Sequence, residues 1–125
     1  MSVNDWLEPW YPIDEFGAER GVEMAAALEA QLRRELSPRH LLAAETVRAI
    51  ARRQDMDTVL FALDGGCVAE VHLTWSRCTE TDPRWPGCAI FASLGDWQRR
   101  SMAPLHDWWK EAAIGRKSGA EARRK

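Results

Sequence analysis

The sequence predicts an α+β domain: an antiparallel meander of three to four strands, with an N-terminal helix and one or two C-terminal helices packed on one face. Three observations predict it. Apolar residues recur at three- and four-residue steps before residue 36, the period drops to two between residues 46 and 75, and it returns to a helical one after Ser93.

Residues 1–14 carry Trp6, Pro9, Trp10, Tyr11 and Pro12, and the prolines favour an extended or turn-like path over a helix. Asp14 can cap a helix starting at residue 15. Val22, Ala25, Leu28, Leu32 and Leu36 form one apolar stripe, which predicts a helix over 15–36 that ends where Ser37 precedes Pro38. A loop runs to about Glu45. Three alternating segments come next, around Val47–Ala51, Val59–Leu63 and Ala69–Trp75. Asp64, Gly65 and Gly66 join the second to the third. A three-residue loop there pairs Leu63 with Cys67, Phe61 with Ala69 and Val59 with Val71, which gathers the apolar side chains on one face, with Gly66 left-handed. The same logic at Gln54, Asp55 and Met56 pairs Ala51 with Val59, at the cost of turning Ile50 to the other face. Cys88–Phe91 supplies a short edge strand after the Asp82-Pro-Arg-Trp-Pro loop. Ser93 is an N-cap. Leu94, Trp97, Met102, Leu105, Trp108 and Trp109 share a helical face interrupted by Pro104, so the pattern predicts helices over 94–102 and 104–113, or one kinked helix.

Length and charge narrow the function. A chain of 125 residues is one domain's worth. Residues 1–114 hold 12 basic and 18 acidic side chains, against five and one in residues 115–125, so an acidic single domain is followed by a basic tail expected to be disordered. An acidic body repels phosphate backbones, which disfavours nucleic acid as a partner except through the tail. With no ~20-residue apolar stretch and no basic-then-apolar start, the expectation is a cytoplasmic protein without a membrane span. Cys67, Cys78 and Cys88 lack the short-spaced ligand pairs of a zinc site even with His72 added, so reduced thiols and no metal are expected. Gly65 and Gly66 lie in a hairpin rather than between a strand and a helix, so no phosphate loop and no cofactor is expected. Turn chemistry accounts for Asp55 and Asp57.

The run from Val47 to Phe61, the strand Val71-His-Leu-Thr-Trp-Ser76, the Asp82-Pro-Arg-Trp-Pro86 loop and Ile90–Leu94 with Trp97 resemble a group of small stand-alone bacterial proteins of unassigned function. The resemblance spans about residues 45–97. It implies a bacterial source and a compact single domain, and it carries over no catalytic residues.

Two constellations bear on function. Glu70, His72 and Thr74 alternate on one strand face, expected to be polar, with Arg48, Arg52 and Thr58 across the sheet. A histidine beside a carboxylate can perform acid-base work near neutral pH, with Arg48 or Arg52 holding an anionic substrate, although no nucleophile stands at a recognisable spacing. The seven tryptophans are the other constellation. Trp75, Trp97, Trp108 and Trp109 are expected in the core or at its rim, whereas Trp10 and Trp85, in proline-rich segments, are candidate interface anchors. The preferred expectation is a non-catalytic protein-binding module, of the immunity or antitoxin-like inhibitor kind, whose acidic body suits a basic partner. The alternative is a small hydrolase-like enzyme using His72 and Glu70. The expected binding set is Trp10, Trp85, Arg48, Arg52 and Thr74.

Overall fold

The computed structural model describes residues 6–123, with side chains as far as residue 114. Five antiparallel strands lie in sequence order: β1 (Trp10–Pro12), β2 (Val47–Arg53), β3 (Thr58–Leu63), β4 (Val68–His72) and β5 (Gly87–Phe91). Helix α1 (Ala18–Glu35) separates β1 from β2. After β5, α2 (Leu94–Trp97) passes through a π-helical turn (Gln98–Met102) into α3 (Ala103–Arg123). The expected α+β class with terminal helices holds, but the sheet has five strands instead of three or four. The additional one is β1, drawn from the proline-rich start. Pro12 ends it at the sheet margin, where a missing amide donor disturbs no inner ladder.

The β3–β4 hairpin has the expected register. Leu63 N–H donates to Cys67 O at 2.9 Å, and Phe61 opposes Ala69 as Val59 opposes Val71. Gly65 and Gly66 take φ values of 83° and 90°, which side chains rarely tolerate. The β2–β3 register differs from expectation. Ala49 opposes Phe61, but Ala51 opposes Leu60 and Arg52 opposes Val59, because a bulge at Ile50 adds one residue to β2. The freed Ile50 carbonyl accepts from Ile13 N–H at 3.0 Å, so the bulge leaves that group satisfied. Its consequence is geometric. Ala49 and Ala51 are turned to opposite sheet faces.

The helices therefore do not share one face of the sheet, contrary to the sequence expectation. On one face α1 packs Leu28 and Leu32 against Val47, Ala49, Val59, Phe61, Ala69 and Val71. On the other, Trp97 and Met102 cover Ala51, Leu60 and Val68, with Trp10 beside them. The residues Val59 to Leu63 are apolar without interruption, as a strand buried on both faces must be. His106 Nδ1–H donates to Glu8 O at 2.8 Å and ties α3 to the segment before β1.

The helix ends follow local chemistry with one correction. Gly17 at φ 114°, not Asp14, caps α1, and no side chain accepts there. Asp14 instead lies so close to Gly21 that a Cβ on Gly21 would sit 2.9 Å from its Cα. Val22 is 72% exposed, off the buried stripe where it was expected. Ser93 does cap α2, its Oγ accepting from Asp96 N–H at 3.0 Å. Pro104 is accommodated at the widened turn, with Ala103 N–H reaching back to Gln98 O, so of the two expected alternatives the single helical run is the one formed. The side chains of the basic tail, 115–125, lie outside the described residues. No described helix is long and apolar enough to cross a membrane.

Candidate functional site

The face expected to be polar is partly covered. Glu70 Oε1 accepts from Trp97 Nε1–H at 2.8 Å and from Ser101 Oγ–H at 2.6 Å, beneath the C-terminal helices. His72 is exposed at the strand end, with Nδ1 3.1 Å from Thr58 Oγ1. Glu70 and His72 are thus neighbours on one strand face with separate partners. Arg48 and Arg52 are not brought together: Arg48 precedes the bulge and faces the C-terminal helices' side, and Arg52 follows it and faces the α1 side. Trp10 is buried at 2% exposure, a correction to its expected role as an exposed anchor. Trp75 and Trp108, expected in the core or its rim, are about half-exposed instead.

What the structure does assemble is the connection from β4 to β5, residues 73–86, docked on the end of α1. Its keystone is Glu35, fully buried in the last turn of α1. Thr74 N–H donates to Oε1 at 2.8 Å, Trp75 N–H to Oε2 at 2.9 Å, and Gln31 Nε2–H to Oε2 at 2.7 Å. The Thr74 hydroxyl lies 2.9 Å from both Glu35 Oε1 and Glu80 Oε1 and donates its single hydrogen to one at a time. Gln31 also donates to Ser76 O at 3.0 Å. The loop in turn satisfies carbonyls that the end of α1 leaves open, Glu80 N–H donating to Glu35 O and the Thr79 hydroxyl to Arg34 O, both at 3.0 Å.

A second pin is His40, buried in the turn after α1. Leu42 N–H donates to Nδ1 at 3.0 Å, which assigns the remaining ring hydrogen to Nε2, and Nε2–H donates to Pro86 O at 2.8 Å. Between the pins, Arg84 donates through its side chain and its backbone to Asp82 and holds that carboxyl down to about 2, from an ordinary 3.8. Burial pushes the Cys88 thiol up, away from the reactive thiolate, whereas Cys78 is exposed on the loop.

This framework displays two indoles. Trp75 is 46% exposed and Trp85 49%. Trp75 also sits at φ 57°, the left-handed region that an aromatic side chain disfavours by about 1–2 kcal/mol. The Glu35 carboxylate, accepting the amides of Thr74 and Trp75, holds that conformation in place. Trp85 lies over Gly87, its ring 3.7 Å from where a Cβ would be. Sequence reasoning selected Trp85 and Thr74 but missed Trp75, Glu35 and His40. A signal for Glu35 existed: it continues the Leu28, Leu32 stripe at helical spacing, and an acid in the last turn opposes the helix dipole.

Among the described residues, no three His, Cys, Asp or Glu side chains converge as a metal site would require. Comparison of the chain with family models, with curated proteins and with solved structures gives no match.

Proposed function

We propose that this protein is a non-catalytic protein-binding module of the immunity or antitoxin-like inhibitor kind, acting on a partner protein in a bacterial cytoplasm through its β4–β5 connection. The observation that carries the reading is the pair of half-exposed tryptophans on a loop pinned at both ends by buried side chains, Glu35 and His40. Tryptophan is the residue most enriched among interface hot spots, and a loop already ordered before binding loses less entropy on association. Residues 73–86 carry two acids and two arginines, so the loop is locally neutral and the acidic body supplies the long-range attraction to a basic partner. The separate partners of Glu70 and His72 favour this reading over acid-base catalysis.

The test is affinity capture with the intact chain, identification of the captured protein, and titration of the purified pair. Trp75→Ala and Trp85→Ala together should weaken binding by about tenfold or more, as loss of hot-spot residues does, while His72→Ala leaves it unchanged. Undiminished affinity in the double variant would remove the loop as the interface. Loss through His72→Ala alone would redirect attention to the strand end.

A further inference from the structure

We propose that the groove beside the β3–β4 hairpin, on the face of the C-terminal helices, binds a free aliphatic carboxylic acid, with the chain in the groove and the carboxylate on Arg48. The groove encloses about 440 Å³ and is lined by Trp6, Ile50, Ala62, Val68 and Leu94, and among the described residues Arg48 is the only charged side chain in its wall. The sheet builds the floor. Arg48 opposes Ala62 in the β2–β3 ladder and Ala62 opposes Val68 in the β3–β4 ladder, so the three stand in a row across one face with the smallest in the middle. Apolar cluster residues make the sides. Trp97 and Met102 are fully buried in that cluster, whereas Trp6, Ile50 and Leu94 pack against it only partly buried, so apolar surface around the groove stays open to solvent.

Walls of this kind take an aliphatic chain, because removing apolar surface from water is favourable and needs no fixed direction. The charge sets the other end of the ligand. Arg48 is exposed and makes no hydrogen bond or ion pair with another described residue. Its guanidinium is accessible and uncommitted, and its planar fork of donors matches the two oxygens of a carboxylate. Among the described residues no acid lines the groove, so nothing there competes for the guanidinium or repels an anion. Arg48 repels a cationic ligand, and a phosphate dianion would keep one charge uncompensated beside apolar walls. One positive charge on an apolar groove thus selects a monoanion with an apolar body. The site goes beyond the proposed function, since the β3–β4 hairpin lies at the end of the sheet opposite the β4–β5 connection.

Calorimetric titration of the intact chain at neutral pH uses octanoate, octanamide, acetate, octyl phosphate and octyltrimethylammonium. Octanoate should bind about tenfold or more tightly than octanamide, which lacks the charge, and than acetate, which lacks the chain. Arg48→Gln should lower octanoate to the affinity of octanamide, while Arg20→Gln, which alters an exposed arginine of α1, leaves it unchanged. The double variant Trp75→Ala with Trp85→Ala should also leave it unchanged, which separates the groove from association with the displayed indoles. The proposal is overturned by equal affinity for octanoate and octanamide, by preference for either other octyl compound, by octanoate affinity that survives Arg48→Gln or is lost in the tryptophan variant, or by no octanoate binding at about 10 mM. Should Arg48→Gln fail to fold, the comparison of octanoate with octanamide on the unaltered chain decides the matter. Because neither Trp75 nor Trp85 lines the groove, failure here leaves the proposed function standing, and the converse holds.

Discussion

A carboxylate with no solvent exposure is expensive unless its lone pairs are used, and Glu35 uses them on two consecutive backbone amides, an amide side chain and a hydroxyl. Removing it leaves the Thr74 and Trp75 amides and the Gln31 side chain without that acceptor. Glu35→Ala should therefore cost about 3 kcal/mol or more in urea unfolding, since each buried unsatisfied group costs ~1–3 kcal/mol. Limited proteolysis should then cut first within residues 73–86, where the anchor of Trp75 has gone. A loss below about 1 kcal/mol, with the loop still resistant, would show that Glu35 does not hold the Trp75 conformation.

At the scale of the element, the β3–β4 hairpin and the β2 bulge set which side chains meet. Gly66 has open space around it, so a methyl group there meets no atom, and the whole effect of Gly66→Ala arises from its φ of 90°. The variant should lose about 1–2 kcal/mol with an unchanged denaturant slope. Stabilisation instead would mean that the hairpin turn does not require positive φ at that residue. The bulge has the opposite legibility. The alternation of Val47, Ala49 and Ala51 reads as an unbroken strand, and nothing local in Arg-Ala-Ile-Ala-Arg marks Ile50 as the inserted residue. The reason lies outside β2, in the β1 edge that takes the Ile50 carbonyl and in a second core that takes Ala51.

Across the whole molecule, the sheet is a partition between two apolar clusters, and adjacent residues of β3 serve different ones. Leu60→Ala and Phe61→Ala should each destabilise by about 2–5 kcal/mol, as large-to-small substitutions in packed cores do. A cost for Leu60→Ala below about 1 kcal/mol, with Phe61→Ala severe, would mean that only the α1 face is a true core. The two-sided burial also bears on function. It half-buries Glu70 against Trp97 and Ser101, leaves His72 exposed at the strand end, and leaves the β4–β5 connection displaying Trp75 and Trp85 to solvent.

The sequence by itself determined the α+β class, the α1 stop ahead of Ser37 and Pro38, the β3–β4 register and the Ser93 cap. Each of these depends on interactions between residues close in the chain or on a period that one strand or helix carries alone. The tertiary structure decided the rest: that α1 and the C-terminal helices take opposite faces, that Ile50 is bulged, that Trp10 is buried while Trp75 is displayed, and that Glu35 and His40 lock the loop. Those outcomes depend on contacts between residues some forty apart, such as Glu35 with Trp75 and His40 with Pro86. A one-dimensional pattern shows that a side chain is polar, but whether it faces water or a buried backbone amide is settled only when distant segments pack together.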